Sequence, residues 1–229
     1  MPAEALDTNM NMGNGWKLNI IQRMEEETIS GIKYLKYTDG DGTIHYFTRV
    51  DTTNDPYKDY DPNLYYDEDG LGLKIEETSA NNYIMSDDKD NKWIFTNNRL
   101  TEMADANENE ISIEYSNAGD ADGYLEKQIK KVSQVNKGKA PIDIATFTYS
   151  GNVLQSVTDA AGNVYTLVYT DGELTSIKMG NTTVAEYTYN THRVTSLKDT
   201  DSGYILTAQY DSNGKVDWYK ESVSTEDGT

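Results

Sequence analysis

The sequence predicts an all-β fold, a twisted antiparallel meander built from repeated hairpins that forms part of a β-shell. Tyrosines recur at spacings of 20, 20 and 21 residues, at Tyr149, Tyr169, Tyr189 and Tyr210. Turn-forming pairs such as Asp171-Gly172 separate short runs in which apolar and polar residues alternate. Because no helix-length connection separates these runs, consecutive strands are expected to pair antiparallel rather than to form βαβ units.

Each copy of the repeat carries apolar residues at fixed offsets from its tyrosine. Five residues after the first three tyrosines, and again three residues further on, lie Leu154 and Val157, Leu174 and Ile177, and Val194 and Leu197. A similar copy begins at Phe95, with Leu100 and Met103 at the same offsets. A unit this short cannot bury its apolar face alone, so the copies are expected to pack on one another.

Period-two alternation predicts further strands before the first copy. These cover residues 15–20, 32–37 and 44–50, a strand near 71–77, and a hairpin of 83–85 and 93–95. Residues 25–27, three glutamates, are predicted to lie in a turn, with a short helix as the alternative. Residues 51–70 are predicted to be a long acidic surface loop. For residues 125–135, helix and strand both remain open.

The chain therefore divides into four segments in sequence. Residues 1–14 are a polar arm, 15–94 an N-terminal β segment with the acidic loop, 95–221 the repeats with an insertion at 116–145, and 222–229 a polar tail. The 229 residues carry a formal net charge of −19 and have no cysteine. This charge argues against nucleic-acid partners and against docking on anionic membranes, and the lack of cysteine excludes disulfides and thiolate metal sites. No apolar run is long enough to insert into a membrane.

The repeat resembles the Rhs, or YD, repeat. The resemblance is carried by the run Asn98-Arg99-Leu100-Thr101-Glu102-Met103 with the alternating strand up to Tyr115, by residues 172–177, and by residues 157–163. Residues 15–19 and 37–47 are similar to the region that precedes such repeats in Gram-positive wall-associated relatives. The resemblance implies a curved sheet that spirals into part of a hollow shell, which in the family encloses a C-terminal toxin inside a large exported protein.

The chain departs from the complete family pattern in three ways. It has few repeats, it lacks the Asp-Pro-x-Gly motif that ends the shell, and no toxin-sized segment follows Trp218. We therefore expect a shell fragment without toxic activity of its own, from a bacterial protein at the cell surface or outside the cell. Its expected partners are neighbouring repeats and a C-terminal toxin cargo. Open sheet edges are expected to allow self-association.

Acidic loops are the candidate metal sites. Ca²⁺ prefers oxygen ligands, and such ligands are offered by Asp39, Asp41, Asp67, Asp69, Asp87, Asp88 and Asp90. None of these loops has the full EF-hand spacing, and Asp also builds turns by bonding its own backbone. Turn formation alone, with no cofactor, is the preferred interpretation.

No catalytic motif is present, so no enzyme is expected. The two histidines, His45 in a strand and His192 in a turn, have no nucleophile or metal motif around them. The alternative function is a carbohydrate- or cell-surface-binding module. Its candidate stacking residues are the loop tyrosines Tyr57, Tyr60, Tyr65 and Tyr66, together with Trp218. The periodic tyrosines are instead expected to pack between strands.

Overall fold

A computed structural model describes residues 9–49, 63–67, 69–119, 121 and 123–224, and in these residues the regular structure is all β. This confirms the predicted fold class. The strands are β1 (Arg23–Ile29), β2 (Ile32–Thr38), β3 (Ile44–Arg49), β4 (Leu64–Asp67), β5 (Lys74–Ser79), β6 (Asn82–Ser86), β7 (Lys92–Thr96), β8 (Arg99–Ala104), β9 (Glu110–Tyr115), β10 (Ile129–Val135), β11 (Ile142–Ser150), β12 (Val153–Asp159), β13 (Val164–Thr170), β14 (Glu173–Met179), β15 (Thr182–Asn190), β16 (Arg193–Asp199), β17 (Tyr204–Tyr210) and β18 (Val216–Val223). In the described residues, no helix is long and apolar enough to cross a membrane.

The chain forms two compact units. One comprises Met1–Lys17, Tyr115–Lys131 and Ile144–Thr229, and the other comprises Leu18–Glu114 and Val132–Asp143. The predicted division of the sequence at residues 94 and 95 is not tested by this compactness and stays a prediction.

In the second unit, β1–β8 form a closed sheet. Each strand pairs antiparallel with the next, and Arg23 of β1 pairs with Arg99 of β8. The amide of Leu100 donates to the Gln22 carbonyl at 3.1 Å, and the Met24 amide donates to the Asn98 carbonyl at 3.0 Å. The interior is filled by fully or almost fully buried side chains, which are Met24, Leu35, Phe47, Tyr65, Ile75, Tyr83, Met85, Phe95 and Leu100. The sequence did not predict this closure.

The prediction for the start of the chain was wrong. Residues 15–20 are not a strand, and the first strand is β1, which contains the three glutamates predicted to form a turn. Lys36 on β2 lies 3.5 Å from Glu25 and 3.7 Å from Glu27, so a lysine on the neighbouring strand compensates their charge. Ser30 and Gly31, with φ of 52° and 83°, form the tight turn of a two-residue hairpin.

The acidic loop is shorter than predicted at its C-terminal end. Residues 64–67 form β4, whose side chains alternate between the interior and the surface, and this places Tyr65 inside the closed sheet. Residues 50–62 and Glu68 lie outside the described residues. The predicted strand near 71–77 begins at Lys74, and the predicted hairpin of 83–85 and 93–95 is formed by β6 and β7.

In the first unit, β11–β18 form the meander that the repeat predicts. Successive strands pair antiparallel from β11 to β18. Every second hairpin (β11–β12, β13–β14, β15–β16 and β17–β18) carries a register shift at the periodic tyrosine, at Tyr149, Tyr169, Tyr189 and Tyr210. The period in the sequence is therefore the period of a β-bulge, which places one extra residue in the ladder and bends the strand. Residues 129–135, for which helix and strand were both open, form the strand β10.

Candidate functional site

The hydroxyls of Tyr169, Tyr189 and Tyr210 each join their copy of the repeat to the preceding one. The Tyr169 hydroxyl donates to the Leu154 carbonyl at 2.7 Å, Tyr189 donates to Leu174 at 2.6 Å, and Tyr210 donates to Val194 at 2.8 Å. The acceptors are the residues five positions after each preceding tyrosine. Phenylalanine would supply the same ring without the donor, so these bonds give a physical reason for tyrosine at this position.

The Tyr169 and Tyr189 phenols are neutral donors around pH 7. Burial raises the pKa of Tyr169 to about 12. Burial also raises the pKa of Tyr187 and of Tyr189. A proton therefore stays on each of these hydroxyls, which lets the Tyr169 and Tyr189 hydroxyls keep donating to the carbonyls.

A segment at the start of the chain, which turns at residues 13–16, crosses three consecutive copies. We call residues 9–16 the N-terminal segment, and we call the equivalent turn positions Asn152, Gly172 and His192 the turn row. The Asn11 amide donates to the Asn152 carbonyl at 2.8 Å, and the Asn11 carbonyl accepts from the Leu154 amide at 2.9 Å. The Asn14 amide then donates to the Gly172 carbonyl at 3.1 Å. The segment therefore bonds to one copy after another.

Trp16 contacts the third copy. Its indole Nε1 donates to the Tyr189 hydroxyl at 2.8 Å, and its ring packs edge-to-face on Tyr187 with centroids 4.7 Å apart. The Asn14 amide nitrogen lies 3.5 Å from Nδ1 of His192 in the same copy. Trp16 was predicted to lie on a strand face, and it is instead the last anchor of the N-terminal segment.

The middle of the segment lies against backbone. Gly13 is buried with a φ of 90°, and a Cβ on this residue would be 2.8 Å from the Leu174 amide nitrogen and 3.2 Å from the Gly172 carbonyl oxygen. Both the positive φ and the close approach therefore require glycine here.

Buried groups hold the other end of the segment. Gln128 is fully buried, and its Nε2 donates to the carbonyls of Asn9 at 2.7 Å and of Gly151 at 2.8 Å. The neighbouring Met10 side chain is 3% exposed. The buried Met10 side chain and the buried Gln128 amide thus hold the beginning of the segment, next to the backbone bonds of Asn11.

A shallow cavity lies between the segment and the repeat. Its volume is about 260 Å³, and it is lined by Asn11, Gly13, Ser150, Val153, Gln155, Tyr169 and Gly172. Beyond it, the largely exposed His192 ring bonds the mostly buried carboxylate of Glu173, with Nδ1 and Oε1 2.5 Å apart.

The predicted stacking residues occupy different environments. Tyr65 is fully buried, with Arg49 over its ring at 4.7 Å, so it is not accessible to a sugar. Tyr66 is half-buried on β4, and Trp218 is 44% exposed on β18, where its Nε1 donates to Gln209. Tyr57 and Tyr60 lie outside the described residues. Tyr57, Tyr60, Tyr66 and Trp218 stay candidates for a site that no comparison tests.

Two of the predicted calcium loops meet at a histidine. His45 Nε2 lies 3.2 Å from Asp39 Oδ2, and His45 Nδ1 lies 3.5 Å from Asp69 Oδ2. Asp39 Oδ1 also accepts bonds from the amides of Asp41, Gly42 and Thr43. Asp41 accepts from Thr43, and Asp67 accepts from the amides of Gly70 and Gly72.

The third predicted calcium loop forms a side-chain turn. Asp87 Oδ1 accepts from the amides of Lys89 and Asn91, and Oδ2 accepts from the Asn91 side chain. These bonds hold the pKa of Asp87 below its usual value, with the Asn91 side chain as the largest cause. Asp88 and Asp90 are exposed in the same turn. Among the described residues, no three His, Cys, Asp or Glu side chains are grouped so as to hold a metal, and calcium binding stays a prediction.

The comparisons with known proteins give structural similarity alone. No family model and no curated protein matches the chain. The crystal structure of TcdB2-TccC3 without its hypervariable C-terminal region matches with a TM-score of 0.45 and 14% identity, over 85% of this chain and 12% of that one. The crystal structure of TcdB2-TccC3 matches with a TM-score of 0.40 and 14% identity, over 91% and 12%.

A third similar structure is the Photorhabdus luminescens Tc holotoxin pore carrying a TccC3 mutation. Its TM-score is 0.29 and its identity 12%, over 84% of this chain and 14% of that one. The chain thus spans about an eighth of the length of the chains it matches. With TM-scores below 0.5, these similarities establish neither a family nor a function.

Proposed function

We propose that this chain is a non-catalytic structural segment of an Rhs-type repeat shell in a secreted or surface-exposed bacterial protein. The observation that carries the proposal is the bonding of three of the four periodic tyrosines, Tyr169, Tyr189 and Tyr210, to the preceding copy. In repeat architectures each unit is stabilised by its neighbours, because one unit cannot bury its apolar face alone. A hydroxyl that recurs with the repeat and reaches the preceding copy supports a scaffold built by adding copies.

The polar chemistry of the repeat supports the same role. In the meander, Asp159 Oδ1 accepts from the amides of Ala161 and Asn163, and Oδ2 accepts from the Asn163 side chain. Asp87 and Asp105 form the same arrangement with Asn91 and Asn109. The recurring carboxylates therefore accept hydrogen bonds within the turns that connect strands. This is a structural role, whereas a catalytic carboxylate would have to contact the substrate.

The proposal also includes the larger parent protein and its cargo. By the resemblance of the repeat, the shell would enclose a C-terminal toxin, and its partners would be the neighbouring repeats and that cargo. The chain itself would carry out no reaction.

The test is the size of the native polypeptide. Antibodies against this chain would be used to immunoblot the secreted and surface fractions of the source organism. We expect a product several times larger than 25.7 kDa, the mass of the 229 residues. A native product near 25.7 kDa would overturn the shell proposal.

Exposed aromatic side chains on β18 favour the second candidate, a glycan-binding surface. All eight residues of β18 are exposed, and Tyr219 is 66% exposed next to Trp218. Aromatic rings on an open sheet can stack on sugar rings. A glycan array would be probed with the chain and with its Trp218→Ala variant. Saturable binding lost in the variant, with an unchanged melting temperature, would favour this function over the scaffold, and no binding would exclude it for the glycans on the array.

A further inference from the structure

We propose that the open edge of β18 is a self-recognition surface, on which the same strand of a second copy of this chain pairs antiparallel about Tyr219. Among the described strands, β17 alone pairs with β18, so the other edge of β18 is open. The surface lies wholly in the unit that contains the meander, and the inference does not depend on the proposed function.

The hydrogen bonds between β17 and β18 determine which backbone groups face the open edge. The Ser224 amide donates to the Gly203 carbonyl at 2.8 Å, one position beyond the ladder of the two strands. Along an antiparallel ladder, pairs that exchange backbone bonds alternate with pairs that do not. Tyr219, Glu221 and Val223 therefore direct their N–H and C=O groups away from β17. A strand that docks on this edge must supply matching groups at the same spacing.

The side chains of β18 add an apolar contact surface to these backbone groups. All eight residues of β18 are exposed, whereas most residues of the neighbouring β17 are half-buried. The large apolar side chains of β18 are 44–66% exposed, at Val216, Trp218, Tyr219 and Val223. Proline, which many natural edge strands use to block pairing, is absent from β18. An open edge with these properties favours the addition of another strand.

A second copy of β18 supplies the matching groups in a symmetric arrangement. A twofold axis between the two Tyr219 residues lets them exchange backbone bonds, and a twofold interface uses the same residues of both copies. In this register Trp218 lies opposite Lys220 of the second copy, and the contact occurs twice. A lysine over an indole ring is a favourable cation–π pair. Lys220 is the single basic residue of β18, so the register brings its charge to an aromatic partner.

The charge of the chain makes this association weak and dependent on salt. Each copy carries a formal net charge of −19, and the register also places Asp217 opposite Glu221 of the second copy. Salt shortens the distance over which such charges repel, from about 30 Å at 0.01 M to about 8 Å at 0.15 M. The eight residues of β18 are also fewer than the roughly 20–30 residues a side of a standard interface. The dimer should therefore be weak and should be strengthened by salt.

The first experiment is analytical ultracentrifugation of the full-length chain over a range of protein and salt concentrations. We expect a monomer–dimer equilibrium whose association constant rises between about 0.01 M and 0.15 M salt. A chain that stays monomeric at about 1 mM protein and 0.15 M salt would overturn the proposal. Open-ended oligomers would also overturn it, because they would show that β18 pairs with a different edge of the second copy.

Single cysteines test the register, because the chain has none of its own. Residues that exchange backbone bonds across an antiparallel ladder have Cα atoms about 5.5 Å apart, which a disulfide can span. Tyr219→Cys should therefore give a disulfide-linked dimer under mild oxidation. Glu221→Cys is the control, because four residues of strand separate its two Cα atoms by more than about 13 Å in this register. A disulfide dimer of Glu221→Cys that forms as readily would overturn pairing about Tyr219.

A charge substitution tests the contact between Lys220 and Trp218. Lys220→Glu should weaken the dimer at least about tenfold, because the contact is lost twice. The matched control is Lys198→Glu, which makes the same change of charge at a side chain 45% exposed on β16, away from the edge. The control should weaken the dimer by less than about threefold, since solvent and salt screen distant charges. Equal weakening by the two substitutions would overturn the contact and leave net charge as the cause.

Discussion

The indole of Trp16 donates a hydrogen bond of 2.8 Å to the hydroxyl of Tyr189, 173 residues further along the chain. The same hydroxyl donates to the carbonyl of Leu174 at 2.6 Å. One phenol therefore accepts from the N-terminal segment and donates to the preceding copy of the repeat. This relationship couples the docking of the segment to the bonds that join the copies, and it underlies the first two predictions.

Gly13 and Gly15 provide a matched test of how closely the segment approaches the repeat. Both have positive φ, 90° and 80°, but only a Cβ on Gly13 would meet other atoms within 4 Å. Each alanine should carry the backbone penalty of the left-handed region, about 1–2 kcal/mol. We expect Gly13→Ala to lower the free energy of unfolding by about 1 kcal/mol or more beyond Gly15→Ala, measured by urea denaturation. Equal losses would mean that the segment lies further from Leu174.

Tyr169→Phe tests the bonds between copies. The substitution keeps the ring and leaves the Leu154 carbonyl without its phenol donor. The expected loss in the free energy of unfolding is about 1–2 kcal/mol. The control is Tyr219→Phe, whose ring is 66% exposed and which should change stability by less than about 0.5 kcal/mol. A loss of stability in Tyr219→Phe as large as that in Tyr169→Phe would contradict a specific role for the hydroxyl bonds between copies.

The meander was predictable because residues close together in the sequence determine its repeat period. Tyr169 and Leu174 are related by a fixed offset, the intervening Asp171-Gly172 turn admits positive φ, and alternation fixes which side chains share a face. The closure between Arg23 and Arg99 has no such local mark. It joins positions 76 residues apart in the sequence through a few backbone hydrogen bonds. Such bonds can form whatever the side chains are, so no residue pattern indicates them.

The candidate site was less predictable for the same reason. Asn11 and Asn14 dock through backbone groups, so their side chains carry no pattern that shows where they bind. Trp16, Leu18 and Ile20 alternate as a strand would, yet Trp16 is committed to Tyr187 and Tyr189 in a distant part of the chain. The one local mark was the equivalence of Asn152, Gly172 and His192 in the repeat, which placed three turns in a row without showing what crosses them.

The buried phenols predict a loss of stability at high pH. Burial raises the pKa of Tyr83 and of Tyr169 to about 12 from an ordinary value of 10.0. Because the folded value lies above the unfolded one, the stabilisation is fully present below pH 10 and is lost as the pH rises through about 12. The melting temperature should fall across this window, and the fall should be smaller in Tyr169→Phe. An equal fall in the variant would contradict the contribution of Tyr169.

The aspartate turns predict the opposite dependence at low pH. Hydrogen bonds from the Asn163 side chain, and then from backbone amides, hold the pKa of Asp159 below 3.8. The stabilisation is therefore present above the unfolded pKa and is lost as the pH falls through the folded value. Asn163→Ala should raise the pKa of Asp159, measured by NMR titration of its carboxyl carbon. Asn213→Ala is the control, because Asn213 bonds its turn aspartate through the backbone amide, and it should leave the pKa of Asp159 unchanged.

Arg49 and Glu77 should be more strongly coupled than an ion pair on the surface. The Arg49 guanidinium bonds Glu77 and the Tyr65 hydroxyl and covers the Tyr65 ring, and the Glu77 side chain is 19% exposed. A double-mutant cycle with Arg49→Met and Glu77→Gln should give a coupling of about 1 kcal/mol or more. The matched cycle is Lys198→Met with Glu186→Gln, a pair 3.9 Å apart with side chains 45% and 50% exposed. Solvent screens that pair, so its coupling should stay below about 0.5 kcal/mol. Equal couplings would mean that the partial burial of Glu77 and the contact with Tyr65 add nothing to the ion pair.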